Sequence, residues 1–323
     1  MPIEAVARMR LKTLRNLRPL IVAVLLATRA PVFAAQEASS GRTAPASGAG
    51  GGSMVKLRVL ATGRGRKLVL DLDARDFRVF DNARQQRITY FSRHASEPLA
   101  LGLLIDTSRS RLYEPDPESW QTYSQWLHRL LRPGDRAFVA TFAEKAALLS
   151  ALTGDPGQLD TDLRRAFGAP AAGTAGLYDA IYTLSEERFA GEKGRKALIV
   201  VSDSPDNYSF HNGLQTLESV QRTGLTVYAL LPWVDRVGQP PFASIESAQL
   251  FSNQTGGLFF LAFSRKALAK DLDGIRIALA YTYTLGFVPT AAPPDTSYHG
   301  IRVKCRRPGV ELYVSRGYYG SSQ

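Results

Sequence analysis

Short apolar runs alternate with amphipathic stretches between residues 99 and 279. Continuous apolar runs bounded by polar residues or glycine are typical of buried strands in a parallel sheet. The strands are predicted at 99–105, 137–142, 197–201, 225–231 and 258–261, with a short edge strand at 148–149. Apolar spacings of three and four predict helices near 120–131, 158–167, 177–184, 214–220, 243–254 and 268–279. This alternation indicates the α/β class, with a doubly wound, mostly parallel sheet and right-handed crossovers.

The segments on either side have a different period. Residues 55–93 and 281–316 alternate apolar and polar positions between Gly, Pro and Asx turns, which is typical of short antiparallel strands. A few short strands are marginal in water by themselves, and each segment has one apolar face to bury. Because the ends of a doubly wound domain tend to lie close together, we predict that the two segments pair into one flanking β-rich subdomain.

The N-terminal segment has the pattern of an export signal. Basic residues up to Arg18 precede the apolar run 20–27, and small residues suit cleavage after Ala34. That run is too short to span a bilayer, and Arg29 interrupts its extension. We therefore expect an exported protein, periplasmic or extracellular, with no membrane span in the mature chain; an uncleaved signal acting as an anchor is the alternative. The predicted organisation is a signal peptide at 1–35, a Gly/Ser-rich flexible linker at 36–53, a β-rich segment at 54–96, the α/β domain at 97–280 and a second β-rich segment at 281–323.

Charge narrows the choice of partner. The formal net charge of the 323 residues is +11, but the predicted signal carries six basic residues against Glu4. The excess left for the mature chain favours solubility, and without a basic stripe interleaved with aromatic residues it does not indicate nucleic-acid binding. The chain has one cysteine, Cys305, so no internal disulfide is expected.

Candidate chemistry follows the ends of the predicted strands. Asp106, Ser108 and Ser110 come directly after the first strand, and Asp203 follows the strand at 197–201. Thr174 lies in a Gly/Ala loop before a helix. Because ligands bind beyond the carboxyl ends of parallel strands, these oxygens are placed to converge. Two carboxylates and several hydroxyls suit a hard divalent cation such as Mg²⁺, whereas the alternative is a set of turns and helix caps.

The order of these pieces resembles the metal-ion-dependent adhesion site of von Willebrand factor A (integrin I-like) domains. That site is an Asp-x-Ser-x-Ser loop followed by a Thr and an Asp. The stretches GDRAFVATF at 134–142 and GTAGLYDA at 173–180 are similar to the second strand and the Thr loop of the same domains. The resemblance implies a metal held by Asp106, Ser108, Ser110, Thr174 and Asp203.

The flanking segments extend the resemblance. DFRVFDN at 76–82, with PGV at 308–310 and RGYY at 316–319, is similar to an exported bacterial group, the VWFA-related acidobacterial family. The likeness covers residues 55–320. When the family's usual Thr loop is aligned without a gap on residues 177–180 of this chain, its Thr position falls on Ala175. Either Gly176 is therefore an insertion, or the Thr ligand is lost. Ser204-Pro205 also replaces the usual glycine after Asp203.

Three classes of function are open. The first hypothesis is an exported, non-enzymatic binding module whose metal captures an acidic side chain of a partner protein. The alternative is a structural or assembly protein of the envelope with a degenerate, metal-free site. A hydrolase ranks last, because there is no Gly-x-Ser-x-Gly or His-Glu-x-x-His pattern, and the four histidines are scattered at positions 94, 128, 211 and 299.

Overall fold

A six-stranded sheet forms the centre of the computed structural model, which describes residues 53–111, 118–232, 240–290 and 296–320. In spatial order its strands are β10 (Phe259–Ala262), β9 (Thr226–Pro232), β8 (Arg195–Val201), β5 (Leu99–Asp106), β6 (Arg136–Phe142) and β7 (Ala146–Leu148). Neighbouring strands are parallel except β6 and β7, which are antiparallel. The predicted apolar runs form these strands because both faces of the sheet are covered, and every residue of β5 is buried.

Within the described ranges, six α-helices cover the two faces of this sheet. They are α1 (Trp120–Leu130), α2 (Pro156–Phe167), α3 (Leu177–Leu184), α4 (Gly213–Arg222), α5 (Phe242–Thr255) and α6 (Arg265–Ala280). Apolar residues of α1, α2 and α6 pack on one face, against Leu101 and Leu103, whereas α3, α4 and α5 pack on the other, against Leu104. The predicted doubly wound, mostly parallel α/β fold is confirmed. A short π-helical turn at Ser185–Phe189, after α3, was not predicted.

The flanking segments form a sandwich of two antiparallel four-stranded sheets. Its strands are β1 (Val55–Thr62), β2 (Phe77–Asp81), β3 (Arg84–Gln86), β4 (Tyr90–Ser92), β11 (Tyr283–Phe287), β12 (Tyr298–Cys305), β13 (Glu311–Tyr313) and β14 (Gly317–Tyr319). One sheet has the order β13-β1-β11-β4 and the other β14-β12-β2-β3, so each contains strands from both ends of the chain. Leu57 pairs with Leu285 and Val79 with Val303, which confirms the predicted flanking β-rich subdomain.

The sandwich lies at the amino edge of the central sheet. Helices α4, α5 and α6 run opposite to the strands, so they end at this edge. The Arg316 amide donates to the Gln254 carbonyl near the end of α5, and the Arg222 guanidinium lies over the Tyr319 ring. The carboxyl edge of the sheet, where the candidate site was predicted, is left at the opposite end of the strands.

The predicted signal and all of the linker except Ser53 lie outside the described residues. Within the described ranges, no helix combines the length and the apolar character that crossing a membrane requires. Cys305 is half-buried in β12 as a free thiol.

Candidate functional site

Asp106 ends the central strand β5 and is almost completely buried. One carboxylate oxygen, Oδ1, accepts the Ser108 backbone N–H at 2.8 Å. The other, Oδ2, accepts the Ser202 hydroxyl at 2.6 Å. Since both donors are neutral, the carboxylate is held in a defined orientation while its negative charge is not offset by them.

The two serines of the Asp-x-Ser-x-Ser loop reach the loop that follows β8. The Ser108 and Ser204 hydroxyl oxygens are 3.4 Å apart, and both residues are buried. The Ser110 hydroxyl accepts from the Asn207 side-chain amide at 3.1 Å. These contacts bring together two loops that are almost one hundred residues apart in the chain.

Asp203 lies in this second loop and is also buried. Its backbone carbonyl accepts from the Ser244 hydroxyl at 2.7 Å, which ties the loop to the first turn of α5. Asp203 and Asp106 line the same small cleft, together with Ser202 and Arg111. The structure therefore brings four predicted residues into one neighbourhood: Asp106, Ser108, Ser110 and Asp203.

Thr174 has a different environment from the other predicted residues. Its side chain is exposed, whereas Ala175 is completely buried. The Ala175 amide donates to Asn207 Oδ1 at 2.9 Å, and the Ala175 carbonyl accepts from the Asn207 amide at 3.0 Å. The sequence left open whether Thr174 or Ala175 occupies the ligand position of this loop. In the structure, Ala175 occupies the buried position beside the site, and Thr174 precedes it on the solvent side.

Several residues around the site were not predicted. Ser202 orients Asp106, Asn207 joins the Thr174 loop to Ser110, and Arg111 donates from Nη1 to the Asp106 carbonyl at 3.3 Å. Ser202 could have been found, because it immediately precedes Asp203 at the end of a strand. Asn207 and Arg111 carry no pattern signal, since their roles depend on how the loops fold against each other.

A second polar cluster holds the loop between Asp206 and Asn212. The Asp179 carboxylate accepts the backbone N–H groups of Phe210 and His211, both at 2.9 Å, and lies 2.7 Å from His211 Nδ1. Burial raises the pKa of Asp179, but these hydrogen bonds outweigh it and hold the pKa below its usual range. The His211 ring also stacks on Tyr182, with 3.8 Å between centroids. The cluster fixes the loop that lies beside the candidate site.

The donor set suits a hard cation. Two buried carboxylates and the hydroxyls of Ser108 and Ser110 are oxygen ligands of the kind that Mg²⁺ and Ca²⁺ prefer. Over the described ranges, no three His, Cys, Asp or Glu side chains form a cluster that could hold a metal ion, so a cation here would depend on hydroxyl ligands beside the two carboxylates. The residues present therefore fit a divalent cation at the carboxyl edge, with Asp106 and Asp203 supplying the charge.

Comparison with known proteins identifies no family. No family model matches the chain, and no curated protein matches it. Among solved structures, it is similar to proximal thread matrix protein 1 from the mussel byssus with a zinc-occupied MIDAS motif (14% identity, TM-score 0.48), covering 60% of this chain and 48% of that one. It is also similar to a von Willebrand factor type A protein from Catenulispora acidiphila (12% identity, TM-score 0.47), covering 76% and 73% respectively.

A third similar structure is the vWF domain of the type V pili tip protein Mfa5 from Porphyromonas gingivalis, at 14% identity and a TM-score of 0.42. This alignment covers 56% of this chain and 94% of that one. The matched region spans about half of the mussel protein. Every TM-score reported above is below 0.5. The fold class is therefore assigned from the strand order and helix packing of this chain and not from these similarities.

Proposed function

We propose that this chain is a non-enzymatic protein-binding module that holds a divalent cation at the carboxyl edge of its sheet. The observation that supports the proposal is the convergence of Asp106 and Asp203 on one cleft with buried hydroxyls beside them. Hydroxyls bring oxygen ligands without charge, so the two carboxylates would balance a divalent ion. The proposed ligands are Asp106, Ser108, Ser110 and Asp203, and Thr174 is the ligand that needs a separate test.

The binding step follows from an incomplete coordination sphere. Mg²⁺ requires about six oxygen ligands, and four protein oxygens would leave positions for water or for a carboxylate from outside. We propose that an acidic side chain of a partner protein takes one of these positions. The export pattern of residues 1–35 supports a partner outside the cytoplasm, in the periplasm or beyond the cell.

Calorimetric titration with Mg²⁺ tests the metal site. The parent chain should bind the ion, and Asp106→Ala should abolish binding while leaving the circular dichroism spectrum unchanged, because one of two charged ligands is lost. Asp71→Ala is the matched control, since this exposed aspartate pairs with Arg307 in the sandwich, far from the site. Equal Mg²⁺ binding by parent and Asp106→Ala would show that the site is wrongly assigned.

One observation favours the alternative, a structural or assembly protein of the envelope with a metal-free site. The Arg111 guanidinium lies in the same cleft as the two aspartates, and alanine holds the buried position of the Thr loop. A fixed guanidinium supplies positive charge where a cation would bind. A parent chain that gives no heat with Mg²⁺ or Ca²⁺, and whose melting temperature neither ion raises, would support this second function.

Catalysis is the least supported function. His211 and His128 each contact a carboxylate, of Asp179 and Asp160 respectively, rather than a hydroxyl or thiol nucleophile. We therefore propose a binding role for the carboxyl edge without a chemical step.

A further inference from the structure

The most exposed large apolar side chains of the described residues all lie at the carboxyl edge. Phe210 is 88% exposed, Phe242 77% and Leu214 72%, and the next, Phe263, is 47% exposed. Burying a side chain of this size is worth about 1.5–3 kcal/mol, so three of them left in water at one edge indicate a surface that another molecule covers. We call Phe210, Leu214 and Phe242 the apolar collar.

Phe210 and Phe242 of the apolar collar are each close in the chain to a residue that bonds a loop of the candidate cation site. Asn207, which bonds Ser110, is three residues from Phe210, and three residues reach at most about 11 Å. On the other side, Ser244 bonds the Asp203 carbonyl, and Phe242 precedes it by two helical residues, a rise of about 3 Å. A ligand held at the site and extending along this edge could therefore reach these apolar side chains.

Hydrogen bonds of the surrounding loop fix the Phe210 backbone, and its side chain lies in solvent. Its own N–H and that of His211 are bonded to Asp179, and Ser209 bridges the Asp179 amide and the Asp206 carboxylate at 2.9 and 2.6 Å. The loop is thus ordered before any partner arrives. An aromatic anchor that is already positioned loses little conformational entropy on binding, which is a property of residues that dominate interface energies.

Charge at the same edge selects an acidic ligand. Arg109 is exposed within the Asp-x-Ser-x-Ser loop, where its Nε contacts the Ala171 carbonyl at 3.5 Å and no described acid pairs with it. Arg111 lies beside Asp106. Two guanidinium groups and a bound cation would together attract a carboxylate and repel a basic segment.

We infer that the partner is a protein segment in which a carboxylate is flanked by apolar side chains, with the carboxylate on the cation and the apolar side chains on the collar. This inference rests on the proposed function for its acidic half. The collar itself is an observation independent of the metal. The segment's apolar flanks would supply most of the affinity, and its acid would fix the register.

An array of synthetic peptides, in which one Asp is flanked by Phe or Leu at spacings of one to four residues, tests the inference in Mg²⁺ buffer with the full chain. The matched arrays replace either Asp by Asn or the apolar residues by Ser. The best acidic-apolar peptide should bind at least about tenfold more tightly than both matched peptides. If no peptide shows this advantage, the inference is wrong.

Substitutions test the acidic half and the apolar half of the inference separately. Phe210→Ser and Phe242→Ser should remove the apolar advantage while leaving Mg²⁺ titration unchanged, whereas Leu70→Ser, an exposed sandwich residue, should do neither. Asp106→Ala should remove only the preference for Asp over Asn. A parent chain that does not bind Mg²⁺ would overturn the proposed function and with it the acidic half of the inference, whereas the apolar half is decided by the collar variants. Equal binding by the collar variants and Leu70→Ser, or dimerisation through the collar in sedimentation, would overturn the inference.

Discussion

The two edges of the central sheet differ in the partners of their buried charged side chains. At the amino edge, Arg195 is 6% exposed, and its guanidinium donates to the carbonyls of Glu97 and Leu279 at 2.7 and 2.8 Å. It also lies 3.7 Å from Asp135 Oδ1, and Arg58 bonds Glu97 at 2.6 Å. At the carboxyl edge, the Asp106 carboxylate accepts hydrogen bonds from neutral donors in a small cleft.

The difference separates a structural role at the amino edge from the binding role proposed for the carboxyl edge. Burial lowers the pKa of Arg195, and Asp135 opposes that shift, so the charge is retained by a partner that the fold supplies. The sandwich then closes the amino edge over these pairs. Asp106 is oriented by hydroxyl and amide hydrogen bonds, an arrangement that leaves its charge available to a cation from outside.

The largest expected effect is at the amino edge. Arg195→Met should lower the free energy of unfolding by about 3–5 kcal/mol, because it removes two buried hydrogen bonds and leaves Asp135 without its countercharge. Urea denaturation measures the loss. Arg188→Ala, which breaks an exposed contact with Glu187, should change stability by less than about 0.5 kcal/mol. Similar losses in both variants would show that the amino-edge network is not a structural anchor.

The second effect is specific to the carboxyl edge. Mg²⁺ at about one hundred times its dissociation constant should stabilise the parent by about 2.7 kcal/mol, since only the folded state presents the site. Asp106→Ala should show no stabilisation, while Arg195→Met, though less stable, should be stabilised as much as the parent. Thermal melts with and without Mg²⁺ measure both. A loss of the Mg²⁺ response in Arg195→Met would mean that the two edges are not independent.

A third prediction uses pH at the amino edge. Burial raises the pKa of Glu97, but Lys56 and Arg58 outweigh it and hold the pKa below its usual range. The pair therefore stabilises the fold above the ordinary Glu pKa, and this contribution disappears as pH falls through the lowered value. Glu97→Gln should cost at most about 1 kcal/mol at neutral pH, because the group is partly exposed, and progressively less as the pH falls through the lowered pKa of Glu97. A cost that persists in acid would argue against the ion pairs.

The smallest effect distinguishes two neighbouring loop positions. Thr174→Ala should change Mg²⁺ affinity by less than about twofold because the side chain is exposed, whereas Ser108→Ala should weaken it by about tenfold, or about 1.4 kcal/mol. Calorimetry under the same conditions measures both variants. A large loss in Thr174→Ala would restore threonine as a ligand and would require the loop to rearrange when metal binds.

Hydrophobic periodicity was sufficient to predict the architecture. The apolar runs and the helical spacings placed every strand of the central sheet and all six α-helices of the described ranges, to within a few residues at their ends. Alternation in the flanks was sufficient to predict that 55–93 and 281–316 belong together. The alternation could not predict how their strands are divided between two sheets, because one apolar face can be buried against several partners.

The sequence predicted which edge of the sheet carries the candidate site, but not the contacts between its residues. Strand ends placed Asp106 and Asp203 at one edge, because parallel strands terminate together. The sequence by itself therefore determined which segments form the buried strands and which edge carries the acids, since burial free energy follows from the local pattern of apolar side chains. Only the tertiary structure decided that Ala175 rather than Thr174 is buried, that Ser202 orients Asp106 and that Arg195 meets Asp135. Such contacts depend on hydrogen-bond geometry between loops distant in the chain, and a spacing pattern carries no information about that geometry.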